Sequence, residues 1–374
     1  MRIGINALYL IPGGVGGTET YLRALLRALA EIDRTNEYFV FTNRETGADL
    51  VPDQANFHYV PQPVRGKIRP ARILYEQTIL PIAAKRWRID VLFNPGFTSP
   101  ILGAPPQVTV FHDLQHKRHP EYFRWFDLPF WNFFLYWSSR VARYVVAVSD
   151  ATAADLQRYY RLTTGRIRIV PHGVSPVFFD IAPQRTPERF ILAVSTLHPH
   201  KNLDGLLRAF AQFHERHRDY RLIVCGKHGF FTQQLHAVRR ELGLDDSVEF
   251  PGWVSDESLR DMYARADAFV YPSRFEGFGM PVLEAMAAAV PSACSRVEPI
   301  DSIASDGALK FNPDDTAEMA ACIERLVTDE DLRARLALAG MARAAQFRWK
   351  SAAQRILAVL REAVMEPRPS GSGG

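Results

Sequence analysis

The chain has 374 residues, 47% of them hydrophobic and 23% charged, with 45 Lys and Arg against 41 Asp and Glu for a formal net charge of +4. That length exceeds one ordinary core and points to two domains, and the small positive excess suits a phosphorylated small molecule or an anionic membrane surface but is too weak for a nucleic-acid binder. Three cysteines, Cys225, Cys294 and Cys322, are odd in number and widely separated, so they spell neither a disulfide framework nor a zinc site and fit a reducing, cytoplasmic setting.

The N-terminal MRIGINALYL enters a strand directly, without the longer apolar run and small-residue cleavage site of a signal peptide. No stretch approaches the roughly 20 apolar residues of a membrane span. Next comes IPGGVGGTETYLRALLRAL, residues 11–29, where Gly13, Gly14, Gly16 and Gly17 bare the backbone before a helix that Thr18 is placed to cap. An anion-binding turn and a plain flexible loop both fit. A dinucleotide fingerprint does not, because Glu19 takes the third-glycine place in the register of Gly14 and Gly16, and this argues against a nicotinamide-dependent oxidoreductase.

The runs EYFVFT, DVLFNP, QVTVFH and YVVAVS follow, separated by helical patterns, which is the rhythm of a parallel sheet built from βαβ units. Within this half, RGKIRPARILYEQ and AKRWR are basic and residues 121–144 are dense in aromatics. Two readings stand side by side. Aromatics with cations suit a peripheral contact with the inner-membrane surface near a lipid-linked acceptor, and a helix packed on the sheet with its aromatics as core accounts for the same letters.

The rhythm restarts after the Pro-rich stretch 171–188 with RFILAVS, YRLIVCG, SVEF, DAFVYP and ALKF. The expected organisation is two doubly wound Rossmann-like domains: an N-terminal one over 1–178, to which a last helix at about 350–365 returns, and a C-terminal one over 186–346. The segment 366–374 reads as a disordered tail. Open parallel sheets bind ligands beyond the carboxyl ends of their strands, so the site should be made of strand-to-helix turns.

Two turns of the second half carry charge. In STLHPHKNLDGLLRAF, residues 195–210, Lys201 stands just ahead of a helix, as a diphosphate clamp or as an ordinary surface lysine. His198 and His200 have no third ligand nearby and read as solvated turn residues. In RFEGFGMPVLEAMAAAVP, residues 274–291, Gly277 and Gly279 expose a turn, Pro281 suits a first helical position, Glu276 stands at the mouth and Glu284 one turn along the helix. Carboxylates flanking an N–H-rich turn suit a ligand with hydroxyls at both ends and negative charge between, such as a sugar nucleotide. Further on, Asp329, Glu330 and Asp331 follow Thr328 and open a helical pattern, which makes a capped helix start of what would otherwise look like a metal-binding Asp-x-Asp.

EGFGMPVLEAMA, with its glutamates eight positions apart, resembles the signature of glycosyltransferase family 4, retaining enzymes of the GT-B fold. The resemblance extends over PGGVGGTETY, FHDLQHKRHPEYF, SRVARYVVAVSDAT, IVPHGV, LHPHKNLDGLLRAF, VEFPGWVSDESLRDMYARADAFVYPS and FRWKSAAQRIL, and within the family it is strongest toward bacterial mannosyl- and rhamnosyltransferases of surface-polysaccharide assembly. It implies a nucleotide-sugar donor, GDP-mannose first and UDP-glucose or UDP-N-acetylglucosamine close behind. It also implies a glycan or lipid-linked acceptor, chemistry without a divalent metal, and front-face attack with the leaving phosphate as base.

By the same resemblance, Glu276 holds donor-sugar hydroxyls, Glu284 binds the ribose, and the backbone of Gly277, Phe278, Gly279 and Met280 contacts the sugar. Lys201 takes the diphosphate, His112 faces the donor sugar, and Gly16 and Gly17 approach the diphosphate or acceptor. Three positions depart from the family pattern. His200 stands where an arginine is usual, so Lys227 in CGKHGF is expected to share the phosphate. Ala289 replaces a glycine, and IDSIA, residues 300–304, with Ser302 inside it, lacks the usual Pro-Glu.

Overall fold

A computed structural model describes residues 1–14 and 16–365; the expected tail 366–374 lies outside the described residues. The chain divides into two compact units, Met1–Gly173 together with the helix beginning at Trp349, and Val174–Arg348.

In the first unit the elements are β1 (Arg2–Ala7), α1 (Gly17–Ile32), β2 (Glu37–Thr42), β3 (Phe57–Pro61), α2 (Arg69–Arg86), β4 (Val91–Asn94), β5 (Gln107–Phe111), α3 (Gln115–Arg118), α4 (Leu128–Val141), β6 (Tyr144–Ala147), α5 (Asp150–Tyr160) and β7 (Ile167–Ile169). The strands form one sheet in the order β3-β2-β1-β4-β5-β6-β7, every neighbouring pair parallel. Central strands such as VLFN and YVVA are buried along their whole length, as strands covered by helices on both faces must be.

The second unit runs α6 (Pro176–Phe179), β8 (Glu188–Val194), α7 (Leu203–His214), β9 (Arg221–Cys225), α8 (Thr232–Glu241), β10 (Val248–Gly252), α9 (Asp256–Arg265), β11 (Ala266–Tyr271), α10 (Met280–Ala287), β12 (Ser292–Ser295), α11 (Ile300–Ala304), β13 (Leu309–Phe311), α12 (Thr316–Thr328) and α13 (Glu330–Ala344). Its sheet is also parallel, in the order β10-β9-β8-β11-β12-β13. Leu206, Phe210 and Phe213 of α7 share a core with Leu222 and Val224 of β9 and with Met319 and Ile323 of α12. Asp329 caps α13 by accepting from the Leu332 N–H at 3.0 Å, the role read for the Asp-x-Asp.

The last helix, α14 (Trp349–Met365), packs against α1 in the first unit. Arg143 donates to the Ala363 carbonyl at 2.6 Å, Arg168 pairs with Glu362 at 2.9 Å, and Trp349 meets Tyr21 edge-on at 5.8 Å. No helix among the described residues is long and apolar enough to cross a membrane.

Two expectations change. Gly16, with φ 60°, is the residue before α1, and Thr18 lies inside the first turn, so the helix starts on backbone freedom instead of a side-chain cap. The aromatic run 121–144 is not mainly core: in α4 the buried residues are Leu135, Ser138 and Ser139, while Phe133, Tyr136 and Trp137 are exposed.

Candidate active site

In the second sheet the strand order reverses between β8 and β11, and the turns leaving those two strands hold the charged residues singled out in the sequence. Such a reversal leaves room beyond the strand ends, because successive crossovers run to opposite sides. The turns are joined by backbone bonds: the Arg274 N–H donates to the His200 carbonyl at 2.7 Å, and Ser273 Oγ donates to the same oxygen at 3.2 Å. Asn202, fully buried and in the left-handed region at φ 54°, fixes the start of α7 by donating to the carbonyls of Pro272 and Pro313.

This framework brings Lys201 to Glu276. Lys201 Nζ lies 2.5 Å from Glu276 Oε1, both side chains mostly buried, and the Tyr271 hydroxyl donates to the same oxygen at 2.7 Å. Tyr271 is the last residue of β11, so a rigid strand end sets the carboxylate's position. Its hydroxyl is pushed well above its usual pKa, first by burial and then by the Glu276 charge, with smaller contributions from Tyr263 and Glu284.

The turn to α10 depends on Gly279, whose φ of 100° is closed to ordinary side chains. Phe278 anchors it, buried and edge-on to Phe347 at 6.0 Å. Helix α10 opens at Met280 with Pro281 second, one residue earlier than the proline suggests. Glu284 follows on its second turn and accepts from the Tyr263 hydroxyl at 3.2 Å. Burial pushes the Glu284 carboxyl up to about 7, against the lowering effect of that hydrogen bond and with a further rise from Asp256. Each acid is therefore held by a tyrosine.

Lys227 is exposed in the turn after β9, next to β8 in the sheet, and its carbonyl accepts from Leu197 N at 3.0 Å. The approach of these turns requires Gly226, at φ 147°, where a Cβ would fall 2.0 Å from the Ser195 carbonyl oxygen. His198 and His200 stack at 5.8 Å, and His198 also meets Phe230; burial followed by the Lys201 charge holds His198 below its usual pKa. Among the described residues no three His, Cys, Asp or Glu are grouped to hold a metal.

In the first unit, His112 follows β5 and is buried, its Nε2 2.9 Å from the Pro95 carbonyl. Tyr21, Phe97 and His172 surround the ring at 4.9, 5.2 and 5.4 Å. Burial lowers its pKa to about 4, so the ring is neutral near pH 7, donating to Pro95 from Nε2. Gly16 and Gly17 are exposed at the head of α1. The same loop is partly closed from within: Gly13 N–H donates to Glu19 Oε2 at 2.8 Å, and Glu19 pairs with Arg23.

Sequence reasoning missed Tyr271, which closes the apolar strand β11 and reads as core, and Tyr263, the one buried residue of the largely polar helix α9. The usable signal was a phenolic residue closing a strand that leads into an acidic turn.

Residues 15–178 match the model of Glycosyltransferase Family 4, and residues 176–343 match that of Glycosyl transferases group 1. The MMP alpha-(1->4)-mannosyltransferase of Mycolicibacterium hassiacum is 31% identical over 323 residues, 81% of this chain and 76% of that one. The chain belongs to glycosyltransferase family 4. The O-antigen chain mannosyltransferase B of Escherichia coli is 30% identical to this glycosyltransferase over 255 residues, 65% of this chain and 67% of its own. Among solved structures, Anabaena HepE in complex with UDP and glucose shares the GT-B fold with a TM-score of 0.76, covering 97% of the glycosyltransferase and 100% of its own chain at 20% identity.

Proposed function

We infer that the chain transfers a hexose, with retention of configuration, from a nucleoside diphosphate sugar to a glycan or lipid-linked acceptor, and that GDP-mannose is the donor. The observation that carries this reading is the pair of acids about the Gly277–Gly279 turn, Glu276 tied to Lys201 and Tyr271, Glu284 tied to Tyr263. Mannose is favoured because relatives that match over most of this chain are mannosyltransferases.

In this reading Glu284 accepts from ribose hydroxyls and Glu276 from sugar hydroxyls, while the turn from Gly277 to Met280 lies along the sugar. Lys201 meets the diphosphate, and Lys227, on the neighbouring turn after β9, shares it. When the anomeric bond breaks, charge moves onto the leaving phosphate, and a cation already placed there lowers the barrier more than it stabilises the bound donor. The pair with Glu276 holds Lys201 in place before the donor arrives. The leaving phosphate takes the acceptor proton, so no protein base is needed on that face. Neutral His112, its Nε2–H given to Pro95, accepts a sugar hydroxyl at Nδ1, and Gly16 and Gly17 approach the phosphate or acceptor. No divalent metal takes part, and the one Asp-x-Asp is occupied in capping α13.

A second reading, a UDP-glucose or UDP-N-acetylglucosamine donor, is favoured by the likeness to HepE, which is described with UDP and glucose. A thermal-shift screen of GDP, UDP, ADP and dTDP sugars separates the two: GDP-mannose is expected to raise the melting temperature most. No shift with any sugar nucleotide would end the proposal, and binding without transfer or hydrolysis would leave a sugar-nucleotide-binding protein.

A further inference from the structure

The surface of the first unit carries an apolar face that the chemistry above does not use. In α4, Pro129, Phe133, Tyr136 and Trp137 follow a helical i, i+4, i+7, i+8 spacing and are all exposed, while the inward side is built partly of serines. A helix on a soluble domain turns its polar residues outward; this one does the reverse. Just ahead of it stand Trp125, 81% exposed, and Phe126.

Helix α2 extends the same character, with Leu74 66% and Ile82 62% exposed on its outer side and Ile68 exposed just before it. The two helices are tied together. Arg69 pairs with Asp127 and lies 4.9 Å from the Phe130 ring centre and 5.7 Å from that of Trp131. Ser99 bridges them again, its N–H donating to Ser138 Oγ and its carbonyl accepting from Gln77 Nε2.

Exposed cations border this face: Arg65 and Lys67 before α2, Lys85, Arg86 and Arg88 at its end, and Arg124 before α4. These cations outnumber the acids beside them: Glu76 is fully buried, Asp127 is paired to Arg69, Glu121 bonds to His119, Asp90 accepts from the Arg2 N–H, and Glu45 accepts from the Gly66 N–H. An apolar centre with Trp and Tyr, rimmed by Lys and Arg, matches a bilayer boundary, where rings enter the interface and cations meet anionic headgroups. A second copy of the chain would set this positive rim against itself, which disfavours self-association.

We propose that the outer face of α2 and α4, with the Trp125–Phe126 segment, docks the protein on an anionic lipid bilayer. The proposal stands independently of the donor and its sugar. It is tested by co-sedimentation of the full chain with vesicles of phosphatidylcholine alone and of phosphatidylcholine with about 30% phosphatidylglycerol. Binding is expected to the anionic vesicles, weakening as salt rises, with tryptophan fluorescence quenched by brominated acyl chains. The combined variant Trp125→Ser, Phe133→Ser, Trp137→Ser is expected to bind at least about tenfold more weakly while melting at the wild-type temperature. A second variant, Lys85→Glu with Arg86→Glu, is expected to lose the preference for anionic vesicles. Absence of binding to anionic vesicles at low salt would overturn the proposal. So would wild-type binding by the folded triple variant, or a dimer that the same substitutions dissolve with no vesicle binding.

Discussion

Replacing Glu284 by Gln tests whether burial of that carboxyl is a real cost to the fold. The side chain lies on α10, accepts from Tyr263 at 3.2 Å, and has its pKa raised to about 7, chiefly by desolvation. A carboxyl whose folded pKa lies above its unfolded value favours the protonated form in the folded state. Below the unfolded value of 4.5 both states are neutral and nothing is lost. As pH rises through 4.5 toward 7 the unfolded chain ionises first, so stability falls, and above 7 the full penalty stands. At about 1.4 kcal/mol per pKa unit the ceiling is about 3 kcal/mol; Glu284 is only partly shielded from water, so about 1–2 kcal/mol is expected. Gln keeps an oxygen for Tyr263 and removes the ionisation. Glu284→Gln should therefore match the wild type at pH 4.5 and melt about 3–6 °C higher at pH 8 by calorimetry. An equal difference at both pH values, or a lower melting temperature at pH 8, would refute the reasoning.

Ala289 holds φ 55°, a conformation that strains an L-residue, so Ala289→Gly should stabilise by about 0.5–1 kcal/mol in urea titration; a loss of stability would count against that strain. Gly226→Ala would force a Cβ to 2.0 Å from the Ser195 carbonyl and should cost about 3 kcal/mol or more, read as lost soluble yield or a much lower melting temperature. Tyr271→Phe removes the 2.7 Å hydrogen bond to Glu276 and should lower kcat about tenfold with a smaller change in KM, measured by donor turnover.

The two parallel sheets were legible because their central strands are nearly unbroken apolar runs between helical patterns. Two short strands were not: SACS of β12 is all small residues, and IRI of β7 carries an arginine between its two apolar residues. The acidic turn could be read from Gly279, Pro281 and the two glutamates, since their types and order imply a bare turn entering a helix. The pairing of Lys201 with Glu276 could not, because it depends on β8 and β11 being sheet neighbours though 70 residues separate Lys201 from Tyr271. The aromatic stretch misled for a related reason. Its hydrophobicity suggests core, but only the fold reveals that Ser138 and Ser139 face inward and Trp137 outward.

The most direct measurement of the proposed chemistry is turnover and donor affinity of Glu276→Ala beside Glu284→Ala, with the best donor from the nucleotide-sugar screen. The account predicts that Glu276→Ala loses at least about a hundredfold in kcat, since an interaction made in the transition state is gone, while Glu284→Ala mainly raises the donor KM. Near-wild-type kinetics for a folded Glu276→Ala protein would contradict it.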